Sequence, residues 1–124
     1  MTLLTVVTDG WTTTAAQFRA ALERRWPNAV VVEVEETSDF SLRWEDPDAA
    51  VWEGQLSSKG TGFAIDGTIQ GAARLASWFR ELVPINHEVL FVDVGNNAEV
   101  VVPPGITPEA LAEAYVAAAN REER

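Results

Sequence analysis

The sequence predicts an α+β fold: one mixed, mostly antiparallel sheet in the order β-α-β-β-β-β-α-β-β-α, with three helices packed mainly on one face. Short segments with period-two alternation follow one another between residues 40 and 65, as antiparallel neighbours joined by turns do. Residues 3–8 and 88–94 are apolar on both faces, as strands in the middle of a covered sheet are. Three stretches show helical periodicity, two of them behind recognisable start signals. A chain of 124 residues, 47% hydrophobic and 23% charged, is expected to be a single domain over 1–124.

Residues 3–8 are aliphatic and β-branched, and Asp9-Gly10 closes that strand. Thr14 with Gln17 three residues on has the capping-box form. Phe18, Leu22 and Trp26 then recur on one stripe until Pro27 ends the helix. Residues 29–36 read as the second strand, and the strand–helix–strand unit favours a right-handed parallel crossover. Residues 40–45 and 49–57 alternate on either side of the Asp46-Pro47-Asp48 turn. A turn at 58–62 leads to a short strand holding Phe63 and Ile65, which stops at Asp66-Gly67. Residues 68–82 carry a wide apolar stripe that includes Ile69, Ala72, Ala76 and Phe79, and Pro84 ends this helix. Gly95-Asn96-Asn97 suits a hairpin between strands 88–94 and 98–102. Thr107, Pro108 and Glu109 start the last helix, which carries Leu111, Tyr115 and Val116.

With strands two to four as neighbours, side chains sort by parity. Val30, Val32, Val34, Phe40, Leu42, Trp44, Ala50, Trp52 and Leu56 are expected under the helices, and Val51 and Gln55 away from them. Glu33, Glu35, Glu45 and Glu53 are expected to face water beside Arg43, with Glu36, Asp39, Asp46 and Asp48 in the connections. From 33 to 53 there are thus eight acids and one base. Like charges on adjacent strands cost up to ~1 kcal/mol per pair, while an acidic field speeds encounter with basic partners by about 10–10³-fold. These eight acids, with Trp11 as a half-exposed aromatic anchor, form the expected contact set for a basic protein partner. A solvated face that serves solubility alone is the plain alternative.

Several chemistries are disfavoured. Nineteen acids against 9 bases give a net charge of −10, which excludes a simple phosphate-backbone binder, so no nucleic-acid partner is expected. With no Cys there is no disulfide, thiolate metal site or Cys nucleophile. His87 is the only histidine and reads as a surface-loop residue, and no Gly-x-Ser-x-Gly elbow is present. Glu33 and Glu35 are a carboxylate pair that any strand with acids two apart would give. Asp46-x-Asp48 lacks the rest of a calcium loop, and Gly60-Thr61-Gly62 precedes a strand rather than a helix. No catalytic, cofactor or metal residue is therefore assigned. Asp93 is expected to bond to the 95–97 turn; left unpaired in a cavity lined by Trp, it would point to a small enzyme or ligand binder. Trp26, Trp44, Trp52 and Trp78 are expected in the core. No Lys or Arg precedes Arg19, and no apolar run approaches the ~20 residues of a membrane span, so a cytoplasmic protein is expected.

Residues 76–84 (ASWFRELVP), 89–93 (VLFVD) and 104–109 (PGITPE) form a helix–strand–hairpin–helix run. This run, in the C-terminal half, resembles short bacterial proteins found beside polymorphic toxins and read as immunity-protein-like. The resemblance implies a small, acidic, non-enzymatic protein that neutralises a basic toxin by blocking its active site or an adjacent surface. It carries over no functional residue. The reading is therefore a non-enzymatic acidic binding protein of immunity or inhibitor type. A homodimer or other homo-oligomeric module, and a ligand binder or enzyme with a pocket between sheet and helices, are the alternatives.

Overall fold

A computed structural model describes residues 2–34, 39–46, 51–93, 95 and 98–122. The elements run β1 (Thr2–Val7), α1 (Ala15–Arg25), β2 (Val30–Glu33), β3 (Phe40–Asp46), β4 (Val51–Ser57), β5 (Gly62–Gly67), α2 (Ile69–Leu82), β6 (Val89–Asp93), β7 (Ala98–Val101) and α3 (Pro108–Glu122). The strands form one open seven-stranded sheet, ordered β2-β3-β4-β5-β1-β6-β7.

Every neighbouring pair in that sheet is antiparallel. β1 and β2 run in the same direction, but β5, β4 and β3 lie between them. The parallel neighbours expected from the β1–α1–β2 unit therefore do not form, because β1 gives both its edges to β5 and β6. Its sequence suits that position. Leu3 and Val7 are buried on one face, and Leu4 and Val6 are half-buried on the other.

Each helix starts on a threonine. The Thr14 hydroxyl accepts from Gln17 N–H at 3.1 Å, Thr68 from Gly71 N–H at 2.9 Å and Thr107 from Ala110 N–H at 3.1 Å. These oxygens satisfy donors that the first helical turn leaves open. All three helices pack against one face of the sheet. Phe18 of α1 stacks on Trp44 and Phe63 at 5.3 and 5.7 Å, Phe79 of α2 on Phe63 at 5.1 Å, and Tyr115 of α3 on Phe91 at 5.7 Å. The strand registers put those sheet rings on a common face, since Phe63 and Phe91 both lie opposite Thr5. Tilted and edge-on ring pairs of this kind add to the burial that holds the layers together.

β2 is out of phase with the expected pattern. Val31 lies opposite Trp44 and Glu33 opposite Leu42, so those two share the helix side. Val30 and Val32 lie opposite Glu45 and Arg43 on the other side, 60% and 49% exposed. Three consecutive valines (30–32) carry no alternation to set the phase. It is set by the chain leaving α1, where Ala29 N–H bonds to Trp26 C=O at 3.0 Å. Register shifts in β3 and β4 correct two more positions. Phe40 lies opposite Ser57 rather than under the helices, and Val51 turns in to 1% exposure. A bulge changes which residues share a face without changing the composition of the strand. Ala50 and the Trp52 side chain fall outside the description. Among the described residues no helix is long and apolar enough to cross a membrane.

Candidate functional site: the uncovered sheet face

With the helices on one side, the other side of the sheet has no helical cover among the described residues. Its centre is apolar. Leu4 and Val6 of β1 pair across to Ala64 on β5 and to Val92 and Leu90 on β6, and all five are half-buried. A shallow groove there is bordered by Phe40, Gln55 and Ser57. Val101, 52% exposed and opposite Leu90, extends the apolar band onto β7.

Charge enters this face away from its centre. On β3 and β4, Arg43 stands between acids: its Nη1 is 3.9 Å from Glu53 Oε1, and Gln55 Nε2 donates to the same oxygen at 3.2 Å. Glu45 completes a second groove with Val30, Val32, Arg43 and Glu53. Asp66 and Glu99 share this face by register, opposite Thr2 and Val92. Surface pairs such as Arg43–Glu53 contribute little to stability.

The acids expected to form one patch are divided. Glu45 and Glu53 do share the uncovered face. Glu33 does not: it lies on the helix side and sits 3.8 Å from Arg19 of α1, because β2 carries the opposite phase. Asp46 is 2% exposed, turned in opposite Val51 by the register shift after Trp44, so it is not a surface acid. Asp39 is exposed at the start of β3, where its carbonyl accepts from Ser58 N–H at 2.9 Å. Glu35, Glu36 and Asp48 lie outside the described residues. Trp11 is half-buried on the helix side, its ring edge-on to Phe79 at 5.9 Å.

Two polar constellations were not legible in the sequence. Asp9 Oδ1 lies 2.7 Å from His87 Nδ1, and Asp9 Oδ2 accepts from Glu88 N–H at 3.3 Å. The hydrogen bond from His87 is the main cause holding the Asp9 carboxyl below its ordinary value. Asp93 accepts from Gly95 N–H at 2.9 Å, the described residue of the turn it was expected to bond, and its second oxygen also accepts from the buried Tyr115 hydroxyl. That bond fastens α3 to β6 and gives the Asp93 carboxylate a structural role. No local pattern joins residues 78 or 22 positions apart. Among the described residues no group of three His, Cys, Asp or Glu side chains is arranged to hold a metal ion.

Comparison with known protein families, with curated proteins and with solved structures gives no match. The fold and the surface define the class: an antiparallel α+β sandwich of one sheet and one helical layer, with a sheet face left uncovered.

Proposed function

We propose that the protein is a non-enzymatic binding protein of inhibitor or immunity type, which meets a basic protein partner on the uncovered sheet face. One observation carries this reading: that face presents an apolar band flanked by Glu45, Glu53, Asp66 and Glu99, with Arg43 as its cation. A standard interface buries about 800 Å² on each partner, with an apolar core and a polar rim. A net charge of −10 adds long-range attraction to a cationic surface. Among the described residues the acidic contact set lies around Glu45 and Glu53. The reading includes action in the cytoplasm, beside the site of synthesis of a toxin-like partner.

The test is capture of the partner from the native cell at low ionic strength, followed by titration of the purified pair. The Glu45→Lys/Glu53→Lys variant is expected to fold normally, to bind at least tenfold more weakly and to show a shallower salt dependence. Unchanged affinity in that variant rejects the acidic contact. The exposed Val30 and Val32 on the terminal strand favour a second reading, self-association of two copies. Sedimentation at low and high salt separates the two, since a salt-independent dimer would point to an apolar contact between copies.

A further inference from the structure

We infer that the cleft between the α2–β6 connection and the β7–α3 connection binds a carboxylate with an apolar body, a site that meets the sheet face proposed above only at Val101. The inference starts from Arg80, in the last turn of α2, which is only 3% exposed. Its Nη1 donates to His87 C=O at 2.7 Å and its Nη2 to Pro84 C=O at 3.1 Å. Its Nε is buried with no hydrogen-bond partner among the described residues. Among the described residues its only acceptors are these carbonyl oxygens, and no carboxylate pairs with it. A guanidinium presents five N–H donors and is always charged. A buried cation without a countercharge is costly, and the C-terminal end of α2 offsets only part of that cost.

Arg80 lines a cleft of about 300 Å³. One wall is the His87 ring, held in place by Asp9. The rest of the lining is mixed: Val101, Val102, Pro103 and Pro104 are apolar on one side, and on the other Ile85, 82% exposed, stands beside Asn86 and Glu88. The nearby acids do not supply the missing charge. Asp9 is committed to His87 and to Glu88 N–H, and the Glu88 residue is exposed. A carboxylate seated in the cleft beside Arg80 gives the cation a countercharge, and the proline and aliphatic walls cover the rest of the ligand. A free aromatic or aliphatic acid and the C-terminus of an apolar peptide share this chemistry.

The test uses the full chain labelled with ¹⁵N and two matched pairs of probes. These are benzoate against benzamide, and N-acetyl-glycyl-leucine against its C-terminal amide. Benzoate is expected to shift the amide signals of His87, Glu88 and Val102 with a dissociation constant on the order of 1 mM, and benzamide is not. A tenfold preference for the peptide acid over benzoate assigns the site to a chain terminus; the reverse preference assigns it to a free acid. Because Arg80→Met removes two clips and can unfold the connection, the exposed Ile85 carries the charge test. Ile85→Asp should weaken benzoate severalfold and Ile85→Lys strengthen it. Equal shifts with acid and amide, or no shift around the cleft at tens of millimolar benzoate, overturn the inference.

Discussion

Gly54 is where the packing of the covered face is most easily tested. It lies on β4 directly opposite Trp44 of β3, with both on the helix side of the sheet. A Cβ at this position would sit 2.5 Å from Trp44 Cζ2 and 2.7 Å from Cδ2, and closer still to Cε2. The ring has little room to retreat. Trp44 is 1% exposed and is pressed between Phe18 at 5.3 Å and Phe63 at 6.0 Å. Two effects compete in Gly54→Ala. The lost backbone freedom of glycine favours alanine within a strand by roughly 0.5–1 kcal/mol. Overpacking a filled core costs about 1–3 kcal/mol. The contact distances decide for overpacking, giving a net loss of about 1–2 kcal/mol, or a fall in Tm of roughly 3–10 °C for a chain of this length. Thermal and urea unfolding, followed by near-ultraviolet circular dichroism and tryptophan fluorescence, measure it. The partner variant Trp44→Leu removes the obstructing ring. In that background Gly54→Ala should be neutral or mildly stabilising, a coupling of about 1–2 kcal/mol. A Gly54→Ala that stabilises the wild type, or that costs the same with and without the Trp44 ring, would refute the reasoning.

Tyr115→Phe removes the hydroxyl that donates to buried Asp93, and should cost about 1–3 kcal/mol in urea unfolding because a carboxylate is left short of a donor. Thr68→Ala removes the oxygen that accepts from Gly71 N–H and should cost about 1 kcal/mol by the same measurement. Asp9→Asn tests the pair with His87. The Asp9 carboxyl is held below its ordinary value by that hydrogen bond, so its contribution is fully present above the unfolded value of about 3.9 and is lost as pH falls through the lower folded value. Stability measured against pH should therefore show wild type above Asp9→Asn at neutral pH, with the two curves converging in acid below about pH 4.

Local chemistry was legible in the sequence wherever a few adjacent residues determine it. Thr14 and Thr107 are visible as helix caps, and Pro27 and Pro84 follow the ends of α1 and α2. The Asp93–Gly95 bond is a short-range turn contact of the same kind. The phase of β2 was not legible, because Val30, Val31 and Val32 are equally apolar and only the exit from α1 selects which face each takes. The inward turn of Asp46 was hidden for a different reason: it depends on a register shift between two strands, which neither strand encodes alone. Both errors fell on the candidate site and moved Glu33 and Asp46 out of the acidic patch. Arg80 reads in sequence as an ordinary basic residue at a helix end; only folding shows that its acceptors are carbonyls.

The most direct test of the uncovered face as the contact surface is methyl cross-saturation in the complex with the salt-sensitive partner. Saturating the partner should attenuate the methyl signals of Leu4, Val6, Leu90, Val92 and Val101, which line that face. The methyls of Leu22, Leu42 and Leu111, enclosed between sheet and helices, should keep their intensity. Attenuation confined to Ile69 and Val116 of the helical layer, with the sheet-face methyls unchanged, would contradict it.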